Sequence, residues 1–197
     1  MSKEKGLKGK ESKARIKAAA AYEFAKHGFH QTKISNIVKR ASLTQPAFYL
    51  YFSSKDAIFN ELVNEFRTKL CQLIEAQRLS PLMEKDELIK QMTASIEKLF
   101  EFFAEDPNLT RIGLVLAPDS EIFKEKLIKL VADNLRFEQR SGTFRSELSM
   151  EIAAVCILGM IEQLIFQCLL KNKSNPIKLA EEVVKLVMSG MMESGSV

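Results

Sequence analysis

The sequence predicts an all-helical chain in two parts, a small N-terminal helix-turn-helix domain joined by a long helix to a larger helical domain. Three observations carry this. Apolar residues recur at helical spacing from Ile16 to Met191, with no strand-like alternation and no internal repeat. Two short apolar patterns follow each other closely between Thr32 and Asp56. Charge is segregated, with twelve Lys and Arg against four Asp and Glu in residues 1–56 and seventeen against twenty-one in the remainder. At 197 residues, 46% hydrophobic and 8% aromatic, the chain has the material for real cores, which excludes a disordered protein.

Residues 1–10 are rich in Lys and Gly without apolar periodicity and read as a flexible basic arm. Helix one is expected from about Glu11 to His27, with Ile16, Ala20 and Phe24 forming its buried stripe. Gly28 then ends it and Phe29 folds back on the stripe. A second, short helix carries Ile34, Ile37, Val38 and Ala41, with Thr32 as its N-cap. The pattern breaks at Ser42 and Leu43. Thr44 caps a third helix, whose Pro46 is tolerated because first-turn amides have no intrahelical acceptor. Two short helices joined this tightly make a helix-turn-helix over residues 34–53.

The third helix turns Leu43, Phe48 and Phe52 to one side and Gln45, Ala47, Tyr49 and Tyr51 elsewhere. Gln can bond an adenine edge in bidentate fashion, Ala can touch a thymine methyl, and Tyr hydroxyls can donate to phosphate. Lys55 adds a point charge of the kind that meets phosphate. Positive charge concentrated beside such a motif is the electrostatic footprint of a DNA reader.

Residues 16–59 resemble the DNA-binding domain of the tetracycline repressor (TetR) family. Ile16, Ala19, Ala20, Phe24, Gly28, Thr32, Ile37, Ala41, Tyr49, Phe52 and Lys55 carry the likeness without a gap. Three positions depart from it: Lys17 stands for a usual leucine, Ser42 for the turn glycine and Val38 for a common alanine. The resemblance implies a homodimeric transcriptional regulator with a DNA-binding domain over 1–56 and an effector-binding and dimerisation domain over 57–197. The expected DNA-facing set is Thr32, Lys33, Thr44, Gln45, Pro46, Ala47, Tyr49, Tyr51 and Lys55. Its expected partners are a double-stranded, palindromic operator and a second copy of the chain, bound through the last two helices.

Ser53 and Asp56 have capping-box spacing for a fourth helix that Phe59, Leu62, Phe66, Leu70 and Ile74 continue to about Leu79, where Ser80-Pro81 stops it. The chain is helical again from about Lys85 to Glu105, broken by Asp106-Pro107. A short apolar piece, Leu109 to Leu116, ends at Ala117-Pro118. Asp119 or Ser120 caps the next helix, which Ser141 and Gly142 end. The run Ile152 to Leu170 is apolar nearly all round, and Asn175-Pro176 separates it from a last helix carrying Leu179, Val183, Leu186, Val187 and Met191. A helix apolar on every side needs cover on every side. Glu162, Gln163 and Gln167 argue against a membrane span, leaving a core helix or one shared with a second subunit.

His27, His30 and Glu23 cluster near a helix end, but Gly28 intervenes and no cysteine is near, so no metal is expected. Cys71, Cys156 and Cys168 lack ligand spacing and read as small hydrophobes of a reducing compartment. No apolar run follows the basic N-terminus, so a cytoplasmic chain is expected. There is no phosphate-cradling loop and no nucleophile constellation, which argues for no cofactor and against an enzyme. A mostly apolar cavity for a small lipophilic or amphipathic effector is expected from Met92, Leu99, Phe103, Phe123, Glu162, Gln163 and Phe166. Glu162 either faces that cavity or is satisfied in an interface or by Arg111 or Arg136. The alternative function is a helical lipid-binding or carrier protein with a basic, membrane-facing surface.

Overall fold

The computed structural model describes residues 2–76 and 85–191. The described residues form nine α-helices and no strand: α1 Ser2–Gln31, α2 Ile34–Arg40, α3 Gln45–Tyr49, α4 Lys55–Glu75, α5 Lys85–Glu105, α6 Pro107–Arg111, α7 Ser120–Arg140, α8 Met150–Leu164 and α9 Pro176–Met191. π-Helical turns follow α6 at Ile112–Leu116 and α8 at Ile165–Leu169. The expected stop of α4 at Ser80-Pro81 lies outside the described residues. Residues 2–10 form no separate arm, because α1 starts at Ser2. Once a helix is nucleated each further residue adds a hydrogen bond, and that outweighs the cost of Gly6 and Gly9.

The chain packs as two compact units. The first runs to Thr68 and takes in Asn108–Ser120; the second comprises Lys69–Pro107 and the chain from Glu121 onward. The division therefore falls twelve residues later than the expected 56/57 boundary and is discontinuous. Packing, rather than chain order, decides it.

Ile16, Ala20 and Phe24 of α1, Ile37 and Val38 of α2, Phe48 of α3 and Phe52 form one buried cluster with Ile58, Phe59 and Leu62 of α4. Gly28, at φ 76° and ψ 165°, takes a conformation open mainly to glycine and turns the chain so that Phe29 lies 4.9 Å from the Phe59 ring and 5.8 Å from Phe24. Ile112 and Ala117 complete the same cluster, which is why the 108–120 segment belongs to this unit. Arg67 fastens it to α4, donating to the Gly113 carbonyl at 3.3 Å and the Asp119 carboxylate at 2.7 Å. That bond holds the Asp119 carboxyl below its usual range. The departure at Lys17 is also explained: its ammonium reaches Glu61 and Glu65 of α4 where an apolar residue would have packed. Lys13 bonds Glu61 at 2.8 Å, and the two lysines lower its pKa.

In the second unit α9 buries Leu179, Ala180, Val183, Val184, Val187, Met188 and Met191. α8 buries Met150, Ala154 and Ile161 on one face, yet leaves Ile152 67% exposed and Val155 and Cys156 exposed on another. Leu186 of α9 is 65% exposed. By length and composition Met150–Leu169 is also a helix that could cross a membrane.

Candidate nucleic-acid interface and a cavity in the second unit

The turn between α2 and α3 is closed by backbone geometry. The Leu43 amide donates to the Val38 carbonyl at 2.9 Å and the Ser42 amide to Lys39 at 3.2 Å, the paired bonds of a Schellman ending. Ser42 sits at its left-handed position, with φ 53°. That is where the family's glycine would stand, and a Cβ there is strained. Arg15 secures the turn from α1, its guanidinium donating to the Ala41 carbonyl and, at 3.4 Å, to that of Ser42. Sequence reasoning missed Arg15, because a partner 26 residues away leaves no local signal.

Thr44 caps α3 as expected, its Oγ1 accepting from the Ala47 amide at 3.4 Å, with Pro46 in the first turn. Phe48 is fully buried and anchors the helix from below. Gln45, Pro46 and Tyr49 are exposed, Ala47 is half-buried, and Tyr49 is 55% exposed with its ring edge-on to Phe48 at 5.4 Å. Lys33 is exposed at the start of α2. Tyr51 does not point freely outward: it is half-buried against the core cluster, with its hydroxyl close to Gly9 of α1.

Two capping assignments change. Thr32 is 1% exposed and does not cap α2; its hydroxyl donates backward to the carbonyls of Gly28 at 2.7 Å and Glu23 at 3.1 Å. Lys33 holds the N-cap position instead, without a side-chain bond. Ser54, rather than Ser53, caps α4, accepting from the Ala57 amide at 3.0 Å. Thr32 is therefore unavailable as a phosphate donor through its hydroxyl.

Lys55 is corrected as well. Its ammonium donates to the carbonyls of Phe29 at 2.7 Å, Thr32 at 3.0 Å and His30 at 3.4 Å, and lies 4.4 Å from the centroid of the Phe29 ring. Three acceptors match the three N–H donors of an ammonium, so Lys55 ties the end of α1 to α4. The Glu23 carboxylate is taken by Arg40 at 2.6 Å, with His27 at 3.7 Å. The Arg40 guanidinium also stacks 3.5 Å from the Tyr22 ring, and the Glu23 bond raises its pKa further.

The second unit contains a cavity of about 130 Å³, lined by α5 through Met92, Ser95, Ile96 and Leu99 and by α7 through Val131, Asn134, Leu135, Phe137 and Glu138. Ile74, Phe144, Ile157, Leu158, Ile161 and Val187 complete the wall. Of the seven residues expected there, only Met92 and Leu99 line it. Phe103 and Phe123 are buried elsewhere, Phe166 is half-buried away from it, and Gln163 is exposed. Glu162 pairs with neither Arg111 nor Arg136: it accepts from Lys124 of α7 at 2.8 Å, which raises the lysine's pKa. Arg136 is occupied by Glu151 and Asp133.

The acid that does reach the cavity is Glu138, 5% exposed, whose carboxyl is pushed up by burial. A signal for it existed in the sequence. Val131, Leu135 and Glu138 are spaced i, i+4, i+7, which puts a carboxyl on the apolar stripe of α7. Asn134 is fixed by donating to the Ile74 carbonyl at 3.2 Å.

A helix-turn-helix whose recognition helix is anchored from below and open above, carried on an all-helical chain with a second helical unit, defines a DNA-binding transcriptional regulator. Residues 16–62 match the family described as bacterial regulatory proteins, tetR family. The chain is 44% identical over 189 residues to the uncharacterized HTH-type transcriptional regulator YdgC of Bacillus subtilis (strain 168), covering 96% of this chain and 97% of that one. It is 27% identical over 182 residues to the fatty acid metabolism regulator protein of the same organism, covering 88% and 92%. A solved SmeT–triclosan complex shares the fold, with TM-score 0.72 at 17% identity over 94% of each chain. The protein belongs to the TetR family of bacterial transcriptional regulators. The alternative of a lipid carrier finds no support in these relatives.

Proposed function

We propose that the protein is a cytoplasmic repressor that binds a palindromic operator as a homodimer and leaves it when a small lipophilic or amphipathic effector enters the cavity of the second unit. The observation that carries the reading is the edge formed by Gln45, Pro46 and Tyr49, exposed on a helix whose other face is locked by Phe48 and the Thr44 cap. Gln45 reads a base edge there, while Tyr49 and Lys33 position the protein on phosphates. The exposed apolar side chains Ile152, Val155 and Leu186, on the last two helices, supply the self-complementary face of a dimer. The relative named for fatty acid metabolism and the triclosan complex of SmeT fit a lipophilic effector.

Release follows from linkage. An effector that favours one arrangement of the second unit weakens DNA by the same factor by which DNA weakens the effector. Ile74, near the end of α4, is part of the cavity wall, and α4 starts directly after the helix-turn-helix, so this helix is the covalent route between the sites. Selection of duplexes from a random pool by the purified protein tests the reading. It should return a palindrome with half-sites about 34–36 Å, or a multiple, apart. Enrichment of no sequence at all would sink it, and a folded monomer by light scattering would remove the two-fold operator.

A further inference from the structure

Glu138 occupies a position that stability alone would not choose. It lies in the last turn of α7, where the negative end of the helix dipole already disfavours an anion. Its backbone carbonyl accepts from the Thr143 amide, but among the described residues its carboxyl has neither an ion pair nor a hydrogen bond. The side chain is more than nine-tenths buried and forms part of the cavity wall, beside apolar groups such as Leu99, Leu135, Ile161 and Val187. Among the described residues, none of the others in the wall, whether from α4, α5, α7, α8, α9 or the connection holding Phe144, is titratable or charged. A buried polar group without a partner is costly, and the same volume filled by leucine would be cheaper to fold. The missing partner is best supplied from outside.

We infer that the cavity takes a lipophilic cation, an organic ammonium whose charge pairs with Glu138 while its hydrocarbon part fills the apolar wall. This rests on the reading of the cavity as the effector site and adds the chemical class of the effector. Burial holds the Glu138 carboxyl protonated further up the pH scale than an exposed one. Below the raised pKa, binding exchanges one cation for another, the acid giving its proton to solvent as the ammonium takes its place; above it, the ammonium meets a carboxylate already formed and no proton is released. A neutral ligand of the same shape gains only the apolar contact. An anion meets either a carboxylate or an acid that must stay protonated, and it brings its own desolvation cost.

Benzylamine, benzyl alcohol and benzoate share one ring and differ in charge, and an aromatic ring suits a cavity of this order of volume. Isothermal calorimetry on the full-length protein should find benzylamine bound at least tenfold more tightly than benzyl alcohol, and benzoate weakest. In Glu138→Gln, checked for native helix content by circular dichroism, the amine should fall to or below the alcohol. Equal or tighter binding of the alcohol to the wild-type protein overturns the cation proposal while leaving an effector cavity in place. A preference for amine that survives in Glu138→Gln overturns the role of Glu138. Failure of all three ligands to bind overturns the cavity reading itself. The comparison on wild-type protein stands whether or not the variant folds.

Discussion

Replacing Gly113 by alanine tests how the 108–120 segment is held to the first unit. A Cβ at this position would lie 2.2 Å from Cδ1, 2.6 Å from Cε1 and 3.0 Å from Cγ of Phe66. Ordinary carbon contacts are about 3.5–4.0 Å, so the overlap exceeds an ångström at the ring edge. The ring has little room to retreat, since Phe66 is buried. Nor can the segment lift away without losing the bonds from Arg67 to the Gly113 carbonyl and the Asp119 carboxylate. Overpacking of this kind costs about 1–3 kcal/mol. An overlap of more than an ångström belongs in the upper half of that range, about 2–3 kcal/mol, and alanine's better helix propensity returns up to about 1 kcal/mol, so the net loss should be about 1–2 kcal/mol. With a urea slope of about 2 kcal/mol/M, the midpoint should fall by about 0.5–1 M at fixed protein concentration. Adding Phe66→Leu should recover part of the loss, a coupling that a double-mutant cycle reads directly. An unchanged or raised midpoint in Gly113→Ala would refute the close packing of this segment on α4.

Ser42→Gly should stabilise the protein by about 0.5–1 kcal/mol in the same urea assay, because it relieves a side chain at φ 53°. Lys55→Met should lower the midpoint through the loss of its bonds to Phe29, His30 and Thr32 while leaving the salt dependence of DNA binding unchanged; a slope reduced by about one would instead return Lys55 to phosphate. Gln45→Ala should cost about 1–3 kcal/mol on operators carrying its cognate base and little on operators altered there, as measured by competition on single-base variants. For Glu138, burial raises the folded pKa above the unfolded value of about 4.3, so the folded state holds the extra proton and stability falls as pH rises through that window. The melting temperature of Glu138→Gln relative to wild type should therefore climb as pH rises from about 4.3 and level off above the folded pKa; a difference independent of pH would contradict a desolvated acid.

Much of the first unit was legible because its signals are local. The stripe of Ile16, Ala20 and Phe24, the break at Gly28, the Thr44 cap with Pro46 in the first turn and the buried Phe48 all depend on residues within about one or two helical turns, where spacing translates into direction. Positions where local reasoning failed are those at which a side chain serves a distant backbone. Thr32 and Lys55 both look like surface residues near a recognition helix, yet both spend their donors on the carbonyls that end α1. An ended helix leaves acceptors unsatisfied, and nothing near Lys55 in sequence says that it will be the one to supply them.

In the second unit, the sequence by itself determined the helices, their breaks at Asp106-Pro107 and Asn175-Pro176, and the surplus of apolar surface on α8. Which side chains enclose a cavity was decided only by the tertiary structure. Glu162 lies on the most apolar helix and reads as the natural polar contact, but its rotation about α8 brings it to Lys124, 38 residues earlier. Glu138 falls on the apolar stripe that its spacing from Val131 and Leu135 marks out on α7, but that stripe does not say whether a filled core or a cavity lies against it. Periodicity fixes the relative angles of residues on one helix to within a few tens of degrees, whereas the identity of the neighbour depends on how separate helices pack, and no single-helix pattern contains that information. The same limit placed Ile112 and Ala117 in the first core rather than the second: the chain leaves a unit and returns to it wherever apolar surface remains uncovered, irrespective of order along the sequence.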